Sequence, residues 1–262
     1  MHSRLSVVLR RSVMGLIPIL VLVGLWELAS RLGLVSQVLL PPFTEVMQRL
    51  FELTGTGELP VALWVTTYRS FCGLFIATAV GMVVGLAMAR ISWARWFFNP
   101  VIAFGFPIPT IALLPAFTLW FGPGDASKIL LVALTCFFPI AASTFEGARS
   151  MEKKLLWSAQ SLGSKREQIF IRVVLPASVS FIFSGIRVAL PLAVIVDFVA
   201  EMVGGGGGLG YLLIFGYRFL QTPTVLAALV AVLLFGVLLD QLLLVSRRVF
   251  LPWDVPDRLT KR

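Results

Sequence analysis

The sequence predicts an all-α membrane protein with six transmembrane helices. Of its 262 residues, 58% are hydrophobic and only 13% are charged, which is too apolar for a soluble globular domain. A helix needs roughly 20 apolar residues to cross the hydrocarbon layer of a membrane. Six windows meet this requirement, at about residues 13–30, 66–89, 97–121, 128–145, 177–200 and 222–246. They leave no stretch for a second domain, so residues 1–262 are expected to form one transmembrane domain.

The distribution of basic residues predicts the orientation of these helices. If the N-terminus lies in the cytoplasm, 16 of the 22 lysines and arginines fall in segments that face inward, namely 1–12, 90–100, 146–176 and 247–262. Only four fall in external segments, namely Arg31, Arg49, Lys128 and Arg218. Cytoplasmic loops are enriched in Lys and Arg. We therefore expect both termini in the cytoplasm, and the net charge of +9 indicates membrane topology rather than nucleic-acid binding.

The first window follows a basic segment, a pattern that is also typical of a secretory signal peptide. The apolar run continues through Trp26 and Glu27 without a clear A-x-A cleavage site. We therefore expect an uncleaved first helix. In the external segment 31–65, Leu40-Pro41-Pro42 predicts a rigid turn, and the apolar residues after it predict a short interfacial helix. Those apolar residues are Val46, Leu50 and Leu53.

Glycines and prolines mark the second and third windows. Gly73, Gly81 and Gly85 lie on one helical face and allow a neighbouring backbone to approach closely, within the chain or at a dimer seam. The third window contains Pro107, Pro109 and Pro115, each of which removes a backbone donor, so this helix must be bent or broken. Irregular backbone at membrane depth survives where protein or a water-filled cavity covers it. The third helix therefore faces a pathway or is a kinked packing helix.

The fifth window carries three charged residues, Arg187, Asp197 and Glu201. Asp197 and Glu201 share a helical face near the outer end, whereas Arg187 lies too far along the helix to pair with them directly. Ionised groups at this depth normally face a bundle interior or water. Two roles remain open: a translocation pathway or gate, and structural pairing between helices or subunits. Together with Pro107 and Pro109, these residues are our candidates for the pathway.

A run of glycines, 204–208, precedes Leu209-Gly210-Tyr211 on the external side. Gly205, Gly207 and Gly210 formally match G-x-G-x-x-G, but a dinucleotide site needs a βαβ unit around this motif, and here two membrane helices flank it. We interpret the run as a flexible external loop that leads into a partly buried segment at 211–219.

The loop 146–176 is the main hydrophilic interruption of the sequence. Leu155, Ala159 and Leu162 share one face of a predicted short helix, which Gly163 ends. Ser164-Lys165-Arg166-Glu167 fits the S-x-x-E pattern that starts a new helix, and this second helix is expected to run to Pro176. The loop is therefore predicted as helix, glycine corner, helix. An amphipathic hairpin at the membrane surface would show the same pattern.

This loop resembles the "EAA" loop of ABC-importer permeases. Gly163, Leu175 and Pro176 match the family pattern in place, whereas Val173 replaces an isoleucine and Trp157-Ser158-Ala159 stands where the family has Glu-Ala-Ala. The resemblance implies a type I ABC-importer fold in which this loop docks on a separate ATP-hydrolysing subunit. It assigns the docking to Ser158, Ala159, Leu162, Gly163 and Ser164, with flanking charges Lys165 and Arg166 and with Pro176 at the end of the loop.

Three further motifs resemble permeases of the nitrate, sulfonate and taurine importers. They are the Leu-Pro-Pro opening near residue 40, Leu119-Trp120-Phe121-Gly122, and Gly-Leu-Gly-Tyr after an acidic residue. The resemblance spans about residues 13–250. It implies a multi-pass permease of the bacterial inner membrane that forms a homodimer and works with two ATPase subunits and an extracytoplasmic substrate-binding protein. It implies a small anion as the substrate, such as a sulfonate, nitrate or carboxylate, or else a thiamine precursor.

Several motifs are absent from the sequence. It contains no G-x-x-x-x-G-K-[ST], so ATP and magnesium are expected on the partner ATPase and no cofactor is expected in this chain. It contains no G-x-S-x-G or H-E-x-x-H, so the chain is not expected to be an enzyme. Cys72 and Cys136 lie in apolar windows and the only histidine is His2, which excludes Cys/His metal sites. The alternatives are a secondary transporter or channel that works alone, and a membrane scaffold without transport.

Overall fold

The computed structural model describes residues 2–150, 161–164, 166–171 and 175–250. Within these residues the chain forms ten α-helices and no strand, which confirms the all-α fold class. The helices are α1 (His2–Arg31), α2 (Phe43–Gly55), α3 (Glu58–Arg90), α4 (Ser92–Gly105), α5 (Leu114–Phe121), α6 (Asp125–Arg149), α7 (Arg166–Ile169), α8 (Leu175–Gly204), α9 (Leu209–Arg218) and α10 (Thr222–Phe250). A short 3-10 helix, Thr110–Leu113, precedes α5. The chain divides into a first compact unit, residues 1–61 with 212–231, and a second unit, residues 62–211 with 232–262.

Four of the described helices are long and apolar enough to cross a membrane, namely α3, α6, α8 and α10 as far as Arg247. α4 and the segment Thr110–Phe121 together reach this length across a bend of 95°, and the pair makes a fifth span if it is counted as one. These elements match the second to sixth predicted windows. The first window lies within α1, and its crossing of the membrane stays a prediction.

The second unit is built around α6, whose small and apolar residues are buried along most of its length. The three glycines of α3 all face it. A Cβ on Gly73 would lie 2.6 Å from Val132 Cγ1, and one on Gly85 would lie 2.6 Å from Thr144 Cβ, so only glycine permits these approaches. Gly81 is close to Ile140 in the same way. The glycine face therefore serves packing within the chain, and the structure shows these contacts directly.

The predicted break in the third window is confirmed. α4 ends at Gly105, and the chain turns through Pro107 and Pro109 before the helical backbone resumes. Pro115 does not cause the break, because it lies in the first turn of α5, where the missing N–H has no helical partner to lose. Gly105 permits close contact with the ring of Phe138 on α6.

The first unit explains the Leu-Pro-Pro motif. Trp26 Nε1 donates a hydrogen bond to the Pro41 carbonyl at 3.0 Å, and Ser30 Oγ donates to the Leu40 carbonyl at 2.8 Å, so the end of α1 holds the turn. Pro42 then caps α2 with an extended backbone. The helix predicted after this turn is confirmed as α2, and its apolar side chains are buried: Val46, Leu50 and Leu53. Its place at the membrane interface stays a prediction.

Candidate functional site: docking corner, cavity and buried charge cluster

The predicted docking loop is described only in part. Gly163 has φ of +79°, as a glycine that ends a helix in the left-handed region should, and no atom lies within 4 Å of a Cβ built on it. Leu162 is 86% exposed, and Ser164 is partly buried. A new helix, α7, follows at Arg166–Ile169, and Pro176 is exposed in the first turn of α8. Ser158, Ala159 and Lys165 lie outside the described residues, as does the side chain of Arg166.

An apolar cavity of about 530 Å³ lies between the broken helix, α6 and α8. Pro109 and Thr110 line it from the break, Thr135 from α6, and Pro191 and Val196 from α8. Among the described residues that line it, the polar side chains are those of Thr110 and Thr135, whose hydroxyl oxygens are 2.7 Å apart. Thr135 Oγ1 also donates to the Leu131 carbonyl at 2.9 Å. The described lining of the cavity is therefore largely apolar and uncharged.

The five candidate pathway residues fall in different places. Pro109 lines the apolar cavity, and Pro107 is exposed beside it. Arg187 is exposed and lines a second, smaller cavity between α8 and α10. Asp197 and Glu201 are fully buried and line neither cavity. The structure thus brings Asp197 and Glu201 together and keeps them apart from Pro109 and Arg187.

Glu201 belongs to a buried charge cluster centred on Arg69. Arg69 is 3% exposed, and its Nη1 lies 3.1 Å from Glu201 Oε1. Its Nη2 lies 2.6 Å from Oδ1 of Asp125, the first residue of α6. The same guanidinium donates to the carbonyls of Gly206 and Gly207 at 2.7 and 3.1 Å. One side chain of α3 therefore joins α6, the end of α8 and the glycine loop.

Glu201 also caps the next helix. Its Oε2 accepts a hydrogen bond from the Gly210 N–H at 3.0 Å, and Thr66 Oγ1, which donates to the Glu201 carboxylate, accepts from the Leu209 N–H at 2.9 Å. Both N–H groups belong to the first turn of α9, where a carboxylate is favoured by unsatisfied donors and by the helix dipole. A Cβ on Gly208 would overlap the Glu201 carboxylate, and one on Gly210 would overlap the Phe198 carbonyl. The Gly-Leu-Gly motif thus lets the acidic residue reach the helix start.

Two further charged residues lie near this cluster. Asp197 Oδ2 accepts from Ser70 Oγ at 3.0 Å, whereas Asp197 Oδ1 has no hydrogen-bond partner among the described residues. Lys128 is 1% exposed, and its Nζ donates to the Pro123 carbonyl at 3.3 Å. The helix begins at Asp125, three residues earlier than the predicted window, so Lys128 lies in the first turn of α6 with its side chain buried. The side of the membrane on which it lies stays a prediction.

The glycine loop, predicted as a flexible segment, has a left-handed backbone and contacts Arg69. All of Gly205 to Gly208 have positive φ, between 67° and 99°, which is a conformation that glycine adopts without strain. Arg69 holds two of their carbonyls. No role for Arg69 was predicted from the sequence. A signal was present, because Arg69 lies near the outer end of its window just as Glu201 does in the fifth window, and opposite charges at one depth tend to pair.

Comparison with known proteins identifies the family. Residues 77–249 match the family described as "Binding-protein-dependent transport system inner membrane component". The chain belongs to this family. It is 33% identical to the taurine transport system permease protein TauC of Escherichia coli strain K12, over 89% of this chain and 86% of that protein. It is 30% identical to the formylaminopyrimidine transport permease protein ThiX of Halalkalibacterium halodurans, over 94% of this chain and 98% of that protein.

The fold agrees with this assignment. A chain of the MetNI methionine ABC transporter, solved in inward-facing conformations, superposes with a TM-score of 0.63 at 19% sequence identity, over 75% of this chain and 96% of that one. The family match and the curated relatives make the chain the multi-pass permease subunit of an ABC-type importer of the inner membrane, and permease subunits of this kind have no catalytic activity of their own. The described residues of this permease contain no group of three or more His, Cys, Asp or Glu side chains that could hold a metal ion.

Proposed function

We propose that the permease couples to a separate ATPase through its cytoplasmic loop 146–176. The exposed glycine corner carries this proposal. Gly163 turns the backbone with positive φ, and Leu162 beside it presents an apolar side chain that is 86% exposed. A large apolar residue beside a fixed turn suits insertion into a groove of a partner. Ser158, Ala159, Ser164, Lys165 and Arg166 complete the proposed docking surface, and Pro176 begins the helix that transmits the movement.

We further propose that the whole chain, 1–262, acts as one permease domain and forms a homodimer with two ATPase subunits, both termini being cytoplasmic. Closure of the ATPases on ATP would move the two docking loops and switch the helices from inward-facing to outward-facing. An extracytoplasmic binding protein would deliver the solute. Pro107, Pro109 and Arg187 would line the pathway, whereas Asp197 and Glu201 would act in a gate at its outer end.

The proposed substrate is a small organic anion, such as a sulfonate or carboxylate, or nitrate, or a thiamine precursor. The relatives named for taurine and formylaminopyrimidine transport support this range. The apolar cavity favours a solute with an organic body, because its lining offers methyl and ring surfaces and two threonine hydroxyls that already bond to each other.

The proposal is tested by the purification of the permease from cells that express its genomic neighbours, followed by measurement of ATP hydrolysis and transport in liposomes. Gly163→Asp is expected to copurify with less ATPase and to lose transport while the helices stay folded, because a charged side chain in the left-handed region disturbs both turn and groove.

Gly122→Asp is the matched control. Gly122 has φ of +81° and, like Gly163, has open space around a Cβ built on it, but it lies in the external turn before α6. The same strain and charge are then introduced on the other side of the membrane. If Gly163→Asp transports as well as the unmodified permease, or if Gly122→Asp loses the ATPase equally, the loop is not the docking site.

A further inference from the structure

The smaller cavity between α8 and α10 brings two opposite charges together without pairing them. It has a volume of about 250 Å³, and its charged lining residues are Arg187 of α8 and Asp240 of α10. Among the residues that the structure describes, neither side chain has an ion-pair partner within 4.0 Å or a hydrogen bond. The rest of the lining is apolar, with Leu190, Val194 and Leu239 among it. The cavity is thus an apolar space with a cation on one wall and an anion on the other.

Both charges lie deep in membrane-spanning helices. Arg187 is 12 residues from the start of α8 and Asp240 is 10 residues from the end of α10, which places them about 18 and 15 Å along the helices from these ends. A charge at such depth normally has a partner or faces water. Two other basic residues lie inside the predicted windows, Arg69 and Lys128, and both have partners in or near the buried charge cluster. Arg187 has none among the described residues and its side chain is exposed, so it is open to contact with a solute.

The position of the cavity connects it with the proposed pathway. Pro191 and Ile195 of α8 line both this cavity and the larger apolar one beside the broken helix. The two cavities therefore occupy neighbouring sectors around the same turns of α8. A solute that moves along α8 through the apolar cavity would next meet Arg187 and Asp240.

We propose that this cavity is a subsite for a small zwitterion, a solute that carries an ammonium and a sulfonate or carboxylate on a short apolar linker. A solute with only a negative charge would be attracted by Arg187 but repelled by Asp240. A solute with only a positive charge would be attracted by Asp240 but repelled by Arg187. A zwitterion compensates both charges at once and buries its linker against the apolar lining. The proposal rests on the proposed import function and narrows its substrate class.

The test uses three probes that share a two-carbon body: 2-aminoethanesulfonate (taurine), which carries both charged groups, ethanesulfonate, which lacks the ammonium, and ethylammonium, which lacks the sulfonate. Their binding to the full-length permease in lipid nanodiscs is measured by saturation-transfer NMR and by competition. Taurine is expected to bind most tightly. Asp240→Asn should weaken the binding of taurine by about tenfold, because the partner of the taurine ammonium is removed. The affinity for ethanesulfonate should stay the same or increase. Arg187→Gln should weaken both sulfonates.

Arg49→Gln and Glu52→Gln are the controls, because they remove the same charges from an exposed pair on α2. The comparison of the three probes on the unmodified permease decides the proposal even if a variant fails to fold. Equal binding of taurine and ethanesulfonate, or no binding of either, would overturn the zwitterion subsite. If Asp240→Asn weakened the binding of both sulfonates equally, this would also overturn the proposal, because Asp240 would then serve only to pair α10 with α8. Because no ATPase takes part, the result does not depend on whether the docking proposal succeeds.

Discussion

At the scale of single residues, Arg69 links α3 to the start of α6, to the end of α8 and to the glycine loop. Its guanidinium contacts a half-exposed carboxylate, a fully buried carboxylate and two carbonyls, and so it uses most of its five donors. A buried ion pair contributes little to stability relative to apolar residues of the same volume, but the loss of one partner leaves an uncompensated charge. The cluster therefore favours this arrangement of α3, α6 and α8 over alternative arrangements more than it adds to the free energy of unfolding.

The first prediction concerns Arg69→Gln. It should lower the free energy of unfolding by about 3–5 kcal/mol, because Glu201 stays buried without its cation. Thermal unfolding of the purified permease, followed by tryptophan fluorescence, measures the loss. Arg31→Gln is the control, since Arg31 is 62% exposed in its pair with Glu27 and an exposed ion pair contributes little to stability. Similar melting of both variants would show that Arg69 is not the centre of the cluster.

The second prediction compares two neighbouring glycines of the loop. Gly207 and Gly208 have φ of +86° and +99°, so alanine is strained at both. Only at Gly208 would the new Cβ overlap the Glu201 carboxylate, whereas nothing lies within 4 Å of a Cβ at Gly207. Gly208→Ala should therefore be less stable than Gly207→Ala by about 1–3 kcal/mol in the same melting assay. Equal melting temperatures would contradict the proposed contact between Glu201 and the start of α9.

At the scale of elements, α3 and α6 approach each other because α3 lacks side chains on one face. Gly→Ala in an open helical position is favourable by about 0.5–1 kcal/mol, but steric overlap in a close contact outweighs this gain. The break between α4 and α5 follows a different logic. There the prolines end the helix and open the apolar cavity beside α8, so the irregular backbone is covered by protein or borders a cavity, as membrane depth requires.

The third prediction tests the contact between α3 and α6. Gly85→Ala places a methyl group 2.6 Å from Thr144 Cβ and 2.7 Å from the Ala141 carbonyl oxygen, so it should destabilise the permease by about 1–3 kcal/mol. Gly236→Ala on α10 is the matched change, because nothing lies within 4 Å of its Cβ. It should be neutral or slightly stabilising. Chemical denaturation in mild detergent measures the stability of both variants. If Gly236→Ala proved less stable than Gly85→Ala, the result would contradict the close packing of α3 on α6.

At the scale of the whole molecule, the charge distribution makes a prediction about topology. Sixteen of the 22 basic residues fall in segments predicted to face inward and four in segments predicted to face outward. This bias predicts that both termini lie in the cytoplasm. A fluorescent protein fused after Arg262 should fluoresce, and alkaline phosphatase fused after Gly57 should be active, because the latter reporter folds only outside the cytoplasm. The opposite pattern at both sites would invert the proposed orientation.

Much of the fold follows from the sequence because its signals are local. The broken third helix follows from the positions of Pro107 and Pro109, and the turn at Gly163 follows from the end of an apolar period before a capping serine. The close contact of α3 was predictable as a glycine face, although its partner α6 was not. Periodicity and backbone chemistry act within a few residues, and so they can be read without the tertiary structure.

The sequence by itself determined the class of protein, the broken third span and the turn at Gly163, because hydrophobic length, proline chemistry and glycine at a helix end do not depend on distant contacts. Only the tertiary structure showed that Arg69 joins Asp125 and Glu201, that the glycine loop is held by its carbonyls, and that Arg187 and Asp240 share one cavity. These groups are separated by about 50 to 140 positions in the chain. Charge pairing at such separation depends on which helix faces meet, and helix packing alone decides that.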